Sequence, residues 1–294
     1  MRNPRHVDAI GIGCLALVVL AGGLAGCDRR PSGGDSAQTR AGEENQSESP
    51  PEPAVPPEML AALEERVATN PSDLEGHRLL GLALGRVGRE AEAVSHVDEA
   101  ARLGGDDPDA LLRIGMAYSA ISAIDKAQIA YERLLKLSPN NPKALNNLGN
   151  VAIRRGDQEK AIAYYRQAVE ADPRYLMAYH RLAGVLKLYG RLDDAADTYG
   201  KMLALQAGSD VERAAQIDGL CQLASVEMSR GAPEQAETLL IQALRQAPDH
   251  PSAHYTRAQV LIRLGREAEA ETELLTHMRL FSRRRPTGPS ATAQ

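Results

Sequence analysis

Apolar and polar residues alternate with a helical period over most of the chain. In "LGNVAIRRGDQEKAIAYYRQAVEADP", which runs from Leu148 to Pro173, apolar side chains recur three and four positions apart on both sides of Gly156. Pro142 fits the first position of the first helix, and Pro173 follows the end of the second. The stretch therefore predicts one pair of antiparallel helices joined by a turn at Gly156.

The same pattern returns along the chain. Consecutive turn residues are 34 positions apart, apart from one step of 41 between Gly190 and Gly231. The turn residues are Gly88, Ser122, Gly156, Gly190, Gly231 and Gly265. Five positions after each lies an alanine (Ala93, Ala127, Ala161, Ala195, Ala236, Ala270), and seven positions before each lies a small residue (Gly81, Gly115, Gly149, Ala183, Ala224, Ala258). Glycine supplies the positive φ that ends the first helix, and small residues let neighbouring helix backbones approach closely.

The unit Leu111-x2-Ile114-Gly115-x2-Tyr118, followed by Ala127-x3-Tyr131 and Pro139, resembles the tetratricopeptide repeat. The leading Trp of that repeat is replaced by Leu111. The resemblance implies an all-α solenoid of about six helix pairs that forms a right-handed superhelix with a concave groove. We predict a leading half-repeat helix at 58–73 and six units at 74–107, 108–141, 142–175, 176–209, 217–250 and 251–282.

Two features modify the helix ends. The 41-residue step inserts seven residues around Gly208–Ile217, and Ser209-x-x-Glu212 reads as a capping box. This predicts a helix that begins about two turns early. Ser72-x-x-Glu75 is a second predicted capping box.

The last unit ends in "LLTHMRLFSRRR", and the sequence predicts no further helix that would cover it. Leu274, Met278 and Phe281 are therefore expected to remain accessible to a protein partner or to a second copy of the chain in a homodimer. The alternative interpretation is a frayed helix end that exposes a few apolar side chains.

The N-terminal segment has the features of a secretory signal. Arg2 and Arg5 precede the apolar run Ala9–Cys27, and Leu24-Ala25-Gly26-Cys27 resembles the bacterial lipobox. That resemblance implies a lipoprotein signal peptide at 1–27, with Cys27 as the acylated residue and a lipid anchor in the membrane. An ordinary cleaved signal and an uncleaved anchor are the alternatives. Each of them predicts that the rest of the chain lies in the cell envelope, facing the periplasm or the exterior.

Residues 28–57 contain almost no large apolar side chain and are rich in Pro, Ser and Gly. Such a composition cannot bury enough surface to offset the entropy of ordering, so we predict a disordered tether. A disordered tail is predicted at 283–294.

The composition and the motifs indicate no catalytic, metal-binding or nucleic-acid-binding site. The net charge of −5 indicates no nucleic-acid partner, and aromatic residues make up only 3% of the chain. Once Cys14 and Cys27 are assigned to the signal, Cys221 is the remaining cysteine, and a core position is its expected role. His250 and His254 do not form a metal-binding motif, since Pro251 begins a helix between them. We predict no enzyme activity, no metal and no cofactor.

In tetratricopeptide folds the first helix of each pair lines the groove. Across the three middle units these helices carry six basic residues and one acid, Asp109, which is a balance of +5. The basic residues are Arg113, Lys143, Arg154, Arg155, Arg181 and Lys187. The second helices of the same units carry eight acids and seven bases, a balance of −1. This sorting of charge favours a groove that binds an acidic or carboxylate-ended extended peptide.

The predicted binding residues are those that recur at one groove position and their neighbours: Arg113, Asn147 and Arg181, with Asn146, Asn150 and His180 beside them. Asn can donate to and accept from a peptide backbone, and Arg can pair with a carboxylate. The order of these residues departs from the carboxylate clamp of chaperone-binding repeats.

The sequence thus predicts a non-catalytic, membrane-tethered scaffold or adaptor that binds protein or peptide partners in the bacterial cell envelope. Two alternatives remain. The stretch "LEERVATNPSDLEGHRLLGLALGRVGREAEAV" resembles the repeat region of cytochrome c maturation factors, which implies a holdase role. The chain could also be an accessory or regulatory subunit of an envelope enzyme such as a cell-wall hydrolase.

Overall fold

A computed structural model describes residues 55–284. The predicted signal peptide with Cys27, nearly all of the predicted tether and most of the predicted tail lie outside these residues. The described part is helical and contains no strand. Its thirteen helices are α1 (Pro57–Thr69), α2 (Leu74–Arg86), α3 (Glu90–Gly104), α4 (Pro108–Ala120), α5 (Ile124–Leu137), α6 (Pro142–Arg154), α7 (Gln158–Ala171), α8 (Leu176–Leu188), α9 (Leu192–Leu203), α10 (Asp210–Ser229), α11 (Pro233–Gln246), α12 (Pro251–Arg263) and α13 (Glu267–Arg284).

The helices stack as successive pairs, so the prediction of an all-α solenoid is confirmed. We call the first helix of each pair an inner helix (α2, α4, α6, α8, α10, α12) and the second an outer helix (α3, α5, α7, α9, α11, α13). Each inner helix packs most extensively on the outer helix of its own pair, and each outer helix then packs on the next inner helix. Neighbouring inner helices also contact each other, but α6 and α8 pack less closely than the rest.

The turns inside the pairs have the predicted backbone conformation. Gly156, between α6 and α7, has φ of +75°, and glycine occupies the corresponding position in all but one of the other pairs. Ser122 fills that position between α4 and α5 with φ of +60°, and within residues 55–284 it is the only non-glycine residue with positive φ. This conformation ends each inner helix and reverses the chain.

Small residues are needed where the two helices of a pair cross. A Cβ atom added to Gly115 would lie 2.5 Å from Cε1 of Tyr131, and one added to Gly149 would lie 2.5 Å from Cε1 of Tyr165. The six repeated alanines, from Ala93 to Ala270, are all buried. In these two pairs a tyrosine ring of the outer helix thus packs directly against the backbone of the inner helix, and Val97 takes this place against Gly81 in the first pair.

Of the two predicted capping boxes, one is confirmed and one is wrong. Ser209 caps α10, and its hydroxyl accepts the Glu212 backbone N–H at 3.2 Å, so this 20-residue helix does begin early. At α2 the capping residue is Asp73 rather than Ser72, because the Asp73 carboxylate accepts the Gly76 N–H at 2.9 Å. The same carboxylate pairs with Arg66 of α1 at 2.6 Å, and this contact favours Asp73 over Ser72.

Cys221 is a core residue of α10. Its side chain is 4% exposed, and burial raises the pKa of its thiol to about 12. A protonated, buried thiol is a poor nucleophile, in agreement with the packing role expected for it. None of the helices between residues 55 and 284 has the length and apolar content needed to cross a membrane.

Candidate peptide-binding groove

A cavity of about 620 Å³ opens on the inner-helix side of the middle pairs. It lies over α4, α6 and α8, where α6 and α8 pack less closely. We call this cavity the middle groove. Its wall consists of Met116, Ser119, Ala120, Tyr131, Asn147, Asn150, Val151, Ile153, Arg154, Tyr165, His180, Arg181, Gly184, Val185 and Leu188.

Two tyrosines from outer helices form the base of the middle groove. Tyr131 and Tyr165 are each 1% exposed, and burial raises the pKa of both phenols to about 12. Both phenols therefore stay protonated at neutral pH. The Tyr165 hydroxyl donates to Oδ1 of Asn150 at 2.7 Å, which holds that side chain in place. The Tyr165 ring therefore has two roles. It packs against Gly149 within the helix pair, and its hydroxyl positions the Asn150 side chain in the groove.

Asn147 and Asn150 form a short polar strip along α6. Nδ2 of Asn150 lies 3.4 Å from Oδ1 of Asn147. Nδ2 of Asn147 has no hydrogen-bond partner within residues 55–284, so it is a donor accessible from the groove. An amide donor beside an amide acceptor can pair with the C=O and N–H groups that alternate along an extended peptide backbone.

His180 is held by an acid from a different helix pair. Its Nε2 lies 2.8 Å from Oδ2 of Asp218 on α10, and its ring meets Tyr199 edge-on at 6.2 Å. The contact with His180 is the main cause that lowers the pKa of the Asp218 carboxyl. Asp218 therefore remains ionised, orients the imidazole and leaves the other face of the ring directed toward the groove wall.

The cations predicted from the sequence do not all contribute to the groove. Arg155 forms an ion pair with Asp125 of α5, so its charge is compensated. Lys187 donates to Oε1 of Gln222 at 2.8 Å, and burial lowers the pKa of its ammonium group. Arg154 and Arg181 line the groove, and no carboxylate of residues 55–284 lies within ion-pair distance of either. Arg154 is held by the Ser119 carbonyl oxygen at 2.7 Å.

Apolar side chains occupy the rim. Met116 is 53% exposed and Leu188 is 71% exposed, and both border the cavity. Ile153 and Val185 lie between these two positions in the groove wall. The middle groove therefore offers an apolar surface, two amides and two uncompensated guanidinium groups to a ligand.

The structure brings four of the six predicted groove residues together: Asn147, Asn150, His180 and Arg181. It does not bring Arg113 or Asn146 to the wall. Arg113 lies on α4, exposed and outside the lining of the cavity, and its charge acts on Glu75 of α2. Asn146 is only 7% exposed, and its Oδ1 has no hydrogen-bond partner within residues 55–284.

Sequence reasoning did not select the tyrosines or Asp218. A signal for the tyrosines existed, since Tyr131, Tyr165 and Tyr199 recur at intervals of 34 residues. Asp218 gave no such signal, because it follows the seven-residue insertion and lies 38 positions from His180. Within residues 55–284, no cluster of three or more His, Cys, Asp or Glu side chains is arranged to hold a metal ion.

Tetratricopeptide repeat models match two segments of the chain, residues 112–175 and residues 227–279. These matches and the repeated helix pairs show that the chain is a tetratricopeptide repeat protein. The fold resembles the solved structure of MamA, with a TM-score of 0.52 and 20% identity over 62% of this chain and 98% of that one. PilF of Pseudomonas aeruginosa gives a TM-score of 0.52 and 19% identity, over 62% of this chain and 78% of that one. At these identities the likeness concerns the fold alone.

The matches to curated relatives cover part of this chain and a smaller part of each relative. The human protein O-mannosyl-transferase TMTC3 is 27% identical over 156 residues, which is 50% of this chain and 17% of that protein. The cytochrome c-type biogenesis protein CycH of Rhizobium meliloti (strain 1021) is 31% identical over 121 residues, 39% of this chain and 31% of that protein. The chain thus spans less than a third of the length of these relatives. The tetratricopeptide repeats place this chain among protein-interaction modules.

Proposed function

We propose that the chain is a non-catalytic scaffold whose middle groove binds an extended segment of a partner protein. The observation that carries this proposal is that Arg154 and Arg181, both without a carboxylate partner in the described residues, line the same cavity as Asn147 and Asn150. A bound backbone would exchange hydrogen bonds with the two amides. Its side chains would contact the apolar rim at Met116 and Leu188.

The charge of the groove favours an acidic segment or a free C-terminal carboxylate. Guanidinium groups form strong, directional hydrogen bonds with carboxylates, and both arginines are uncompensated. His180 adds a further polar contact whose orientation is set by Asp218. A neutral or basic segment would leave the two arginines without a counter-charge in a partly enclosed space.

The test uses a library of short random peptides, prepared with free and with amidated C-termini. We expect the wild-type protein to select sequences rich in Asp and Glu, or sequences that require the free carboxylate. Arg154→Glu with Arg181→Glu should lose this binding and keep its helicity, because both side chains are exposed. Arg113→Glu is the matched control for each of the single variants Arg154→Glu and Arg181→Glu, since it makes the same charge change outside the groove wall. Binding should also weaken as salt is added.

Two results would contradict the proposal. One is an equal loss of binding in Arg113→Glu, which would mean that overall charge rather than the groove is responsible. The other is selection of peptides without regard to acidic residues or to the C-terminal carboxylate. In that case the apolar rim alone would select the ligand.

We also propose that this scaffold is tethered in the cell envelope through acylated Cys27. This part rests on the lipobox resemblance at residues 24–27, which lie outside the described structure. A radiolabelled or clickable fatty acid should enter the wild-type protein and not Cys27→Ala. Lipid that remains attached to the Cys27→Ala protein would show that the anchor is elsewhere.

A second candidate function is a holdase for apocytochrome c. It is supported by the 31% identity with CycH over 121 residues, although that match covers 31% of CycH. Peptides from the C-terminal helix of an apocytochrome should then compete with the selected acidic peptides for the middle groove. If they do not compete, and the tethered protein co-purifies with an envelope hydrolase, an accessory subunit role is the better description.

A further inference from the structure

The last helix pair exposes an apolar surface on α12 and α13. Tyr255 is 45% exposed, Leu275 57%, Met278 57% and Phe281 55%. The His277 ring lies between two of them, 5.2 Å from the Tyr255 ring and 6.0 Å from the Phe281 ring. Its Nδ1 donates to the Pro251 carbonyl oxygen at 2.9 Å, which fixes this aromatic row. We call the surface formed by these residues the C-terminal face.

Two positions of the C-terminal face, those of Met278 and Tyr255, are covered in earlier pairs, whereas the residues that correspond to Leu275 include the exposed Gly200 and Arg166. The residues that correspond to Met278 are Leu244, Leu203, Val169, Leu135 and Ala101, and all five are partly buried against the core. The residues that correspond to Tyr255 include Cys221, which is 4% exposed, and Asn146, which is 7% exposed. At the positions of Met278 and Tyr255, the C-terminal face therefore exposes side chains of a kind that earlier pairs pack against their neighbours. Repeat arrays normally require a polar outer face on their terminal repeat for solubility.

Charges on α13 indicate what covers this face. Glu271, Leu275 and Arg279 are four residues apart, so they form one ridge along the helix, and all three are exposed. Neither Glu271 nor Arg279 has an ion pair within residues 55–284. Other acids of the same helix are paired, Glu269 with Arg266 and Glu273 with Arg257. Glu267, at the start of α13, also lacks an ion pair within residues 55–284, and Glu271 and Arg279 are the unpaired charges that flank the exposed Leu275.

We propose that the C-terminal face binds a second copy of the chain, with the two α13 helices antiparallel around a two-fold axis near Leu275. This arrangement places Glu271 of each copy opposite Arg279 of the other, which gives two reciprocal ion pairs. It also buries Leu275 and Met278 of both copies between the helices. A parallel arrangement would set Glu271 against Glu271, so the order of charges selects the antiparallel one. Such a self-complementary patch is what a two-fold dimer interface requires.

Charge exchange provides the main test, made on the full chain in mild detergent by sedimentation equilibrium. The wild-type protein should be a dimer. Glu271→Arg alone and Arg279→Glu alone should each weaken the dimer about tenfold, since each change affects two contacts and also opposes like charges. The double variant Glu271→Arg with Arg279→Glu should restore association, because both copies then carry exchanged charges.

Cross-linking tests the position of the axis. Leu275→Cys should form an intermolecular disulfide on mild oxidation, since a residue near a two-fold axis lies close to its own copy. The wild-type protein controls for the native cysteines. Ile129→Cys is the matched control, because Ile129 is an exposed apolar residue (64%) on α5, away from the C-terminal face.

Three results would overturn the proposal: a wild-type protein that is monomeric at all concentrations, a double variant that stays as weak as the single ones, or equal cross-linking through Ile129→Cys. The second result would mean that a different protein covers the face. Arg181→Glu should leave the dimer unchanged, so failure of the groove proposal and failure of the dimer proposal can be told apart.

Discussion

The apolar surface is covered at one end of the described helical array and exposed at the other. At the first end, α1 covers α2: Leu63 and Val67 of α1 are buried, and they join the core formed by Leu80 and Leu84. At the other end, Met278 and Phe281 of α13 are exposed by more than half. A helix pair buries one face on each side, so an array needs a cover at each end. The first cover belongs to the chain, and the second must come from outside the described residues.

Polar contacts at the two ends also differ. The cover α1 is held by the Arg66–Asp73 ion pair at 2.6 Å and by Arg89, which contacts Glu64 at 2.9 Å. In the last pair, contacts of Arg257 and His254 with Glu273 tie α12 to α13 without covering the outer surface of α13. The polar contacts at the last end therefore stabilise the pair itself and leave its apolar surface available for association.

The largest effect is expected from weakening the cover at the first end. Leu63→Ala should lower the free energy of unfolding by about 2 kcal/mol, because it removes buried apolar contacts. The matched control is Met59→Ala on the same helix, where the side chain is 51% exposed and the change should be below about 0.5 kcal/mol. Urea unfolding measures both values. Equal losses in the two variants would show that α1 does not act as a cover.

A smaller loss is expected at the start of α2. Asp73→Ala removes the cap of this helix and the partner of Arg66, and should cost about 1 kcal/mol. Ser72→Ala should have almost no effect, although Ser72 is the residue that the capping-box motif selects. Thermal unfolding measures both variants. A larger loss of stability in Ser72→Ala than in Asp73→Ala would show that Ser72 is the capping residue.

The first end should also weaken as the pH falls below neutrality. Burial, and next the neighbouring His77, lower the pKa of the His96 imidazole, whereas Glu92 and Glu64 oppose this and Arg89 adds to it. The unfolded chain therefore takes up a proton at His96 near pH 6.5, before the folded chain does. Since the unfolded state then binds more protons, stability falls as the pH drops through this window, until the folded imidazole is protonated as well.

This pH dependence can be assigned to one ring. The His77 and His96 Nδ1 atoms lie 3.0 Å apart, and His77 Nε2 donates to the Pro71 carbonyl oxygen at 3.1 Å. Urea midpoints at about pH 7.5 and about pH 5.5 should differ less in His96→Gln than in the wild-type protein. If the variant keeps the full difference, another group is responsible.

The smallest effect is expected at the uncovered end. Met278→Ala should change the stability of the monomer by less than about 0.5 kcal/mol at high dilution. Leu135→Ala, at the corresponding position of an inner pair, should cost more, on the order of 1–2 kcal/mol, since Leu135 is packed against the next pair. A monomer that loses as much stability from Met278→Ala as from Leu135→Ala would mean that the two positions are covered alike.

The sequence alone determined the helix pairs, because each depends on local and periodic chemistry. A positive φ at Gly156 and a small side chain at Gly149 are needed wherever two helices of this length cross, so they recur with the repeat and can be recognised without coordinates. The early start of α10 was equally readable, since Ser209 and Glu212 are close in sequence. The groove was predictable only in part: Asn147 and Arg181 line it, but Arg113 does not.

Tertiary structure decided what depends on neighbouring helices. Asn146 and Asn147 are adjacent in sequence, but successive helix positions are rotated by about 100°, so Asn147 lines the groove and Asn146 is buried. Asp218 reaches His180 only because α10 packs beside α8. Asp73, rather than Ser72, caps α2 where Arg66 of α1 meets its carboxylate. For the amide and for the cap, two residues were chemically suitable and the surrounding helices selected between them; Asp218 and His180 met only through the packing of their helices.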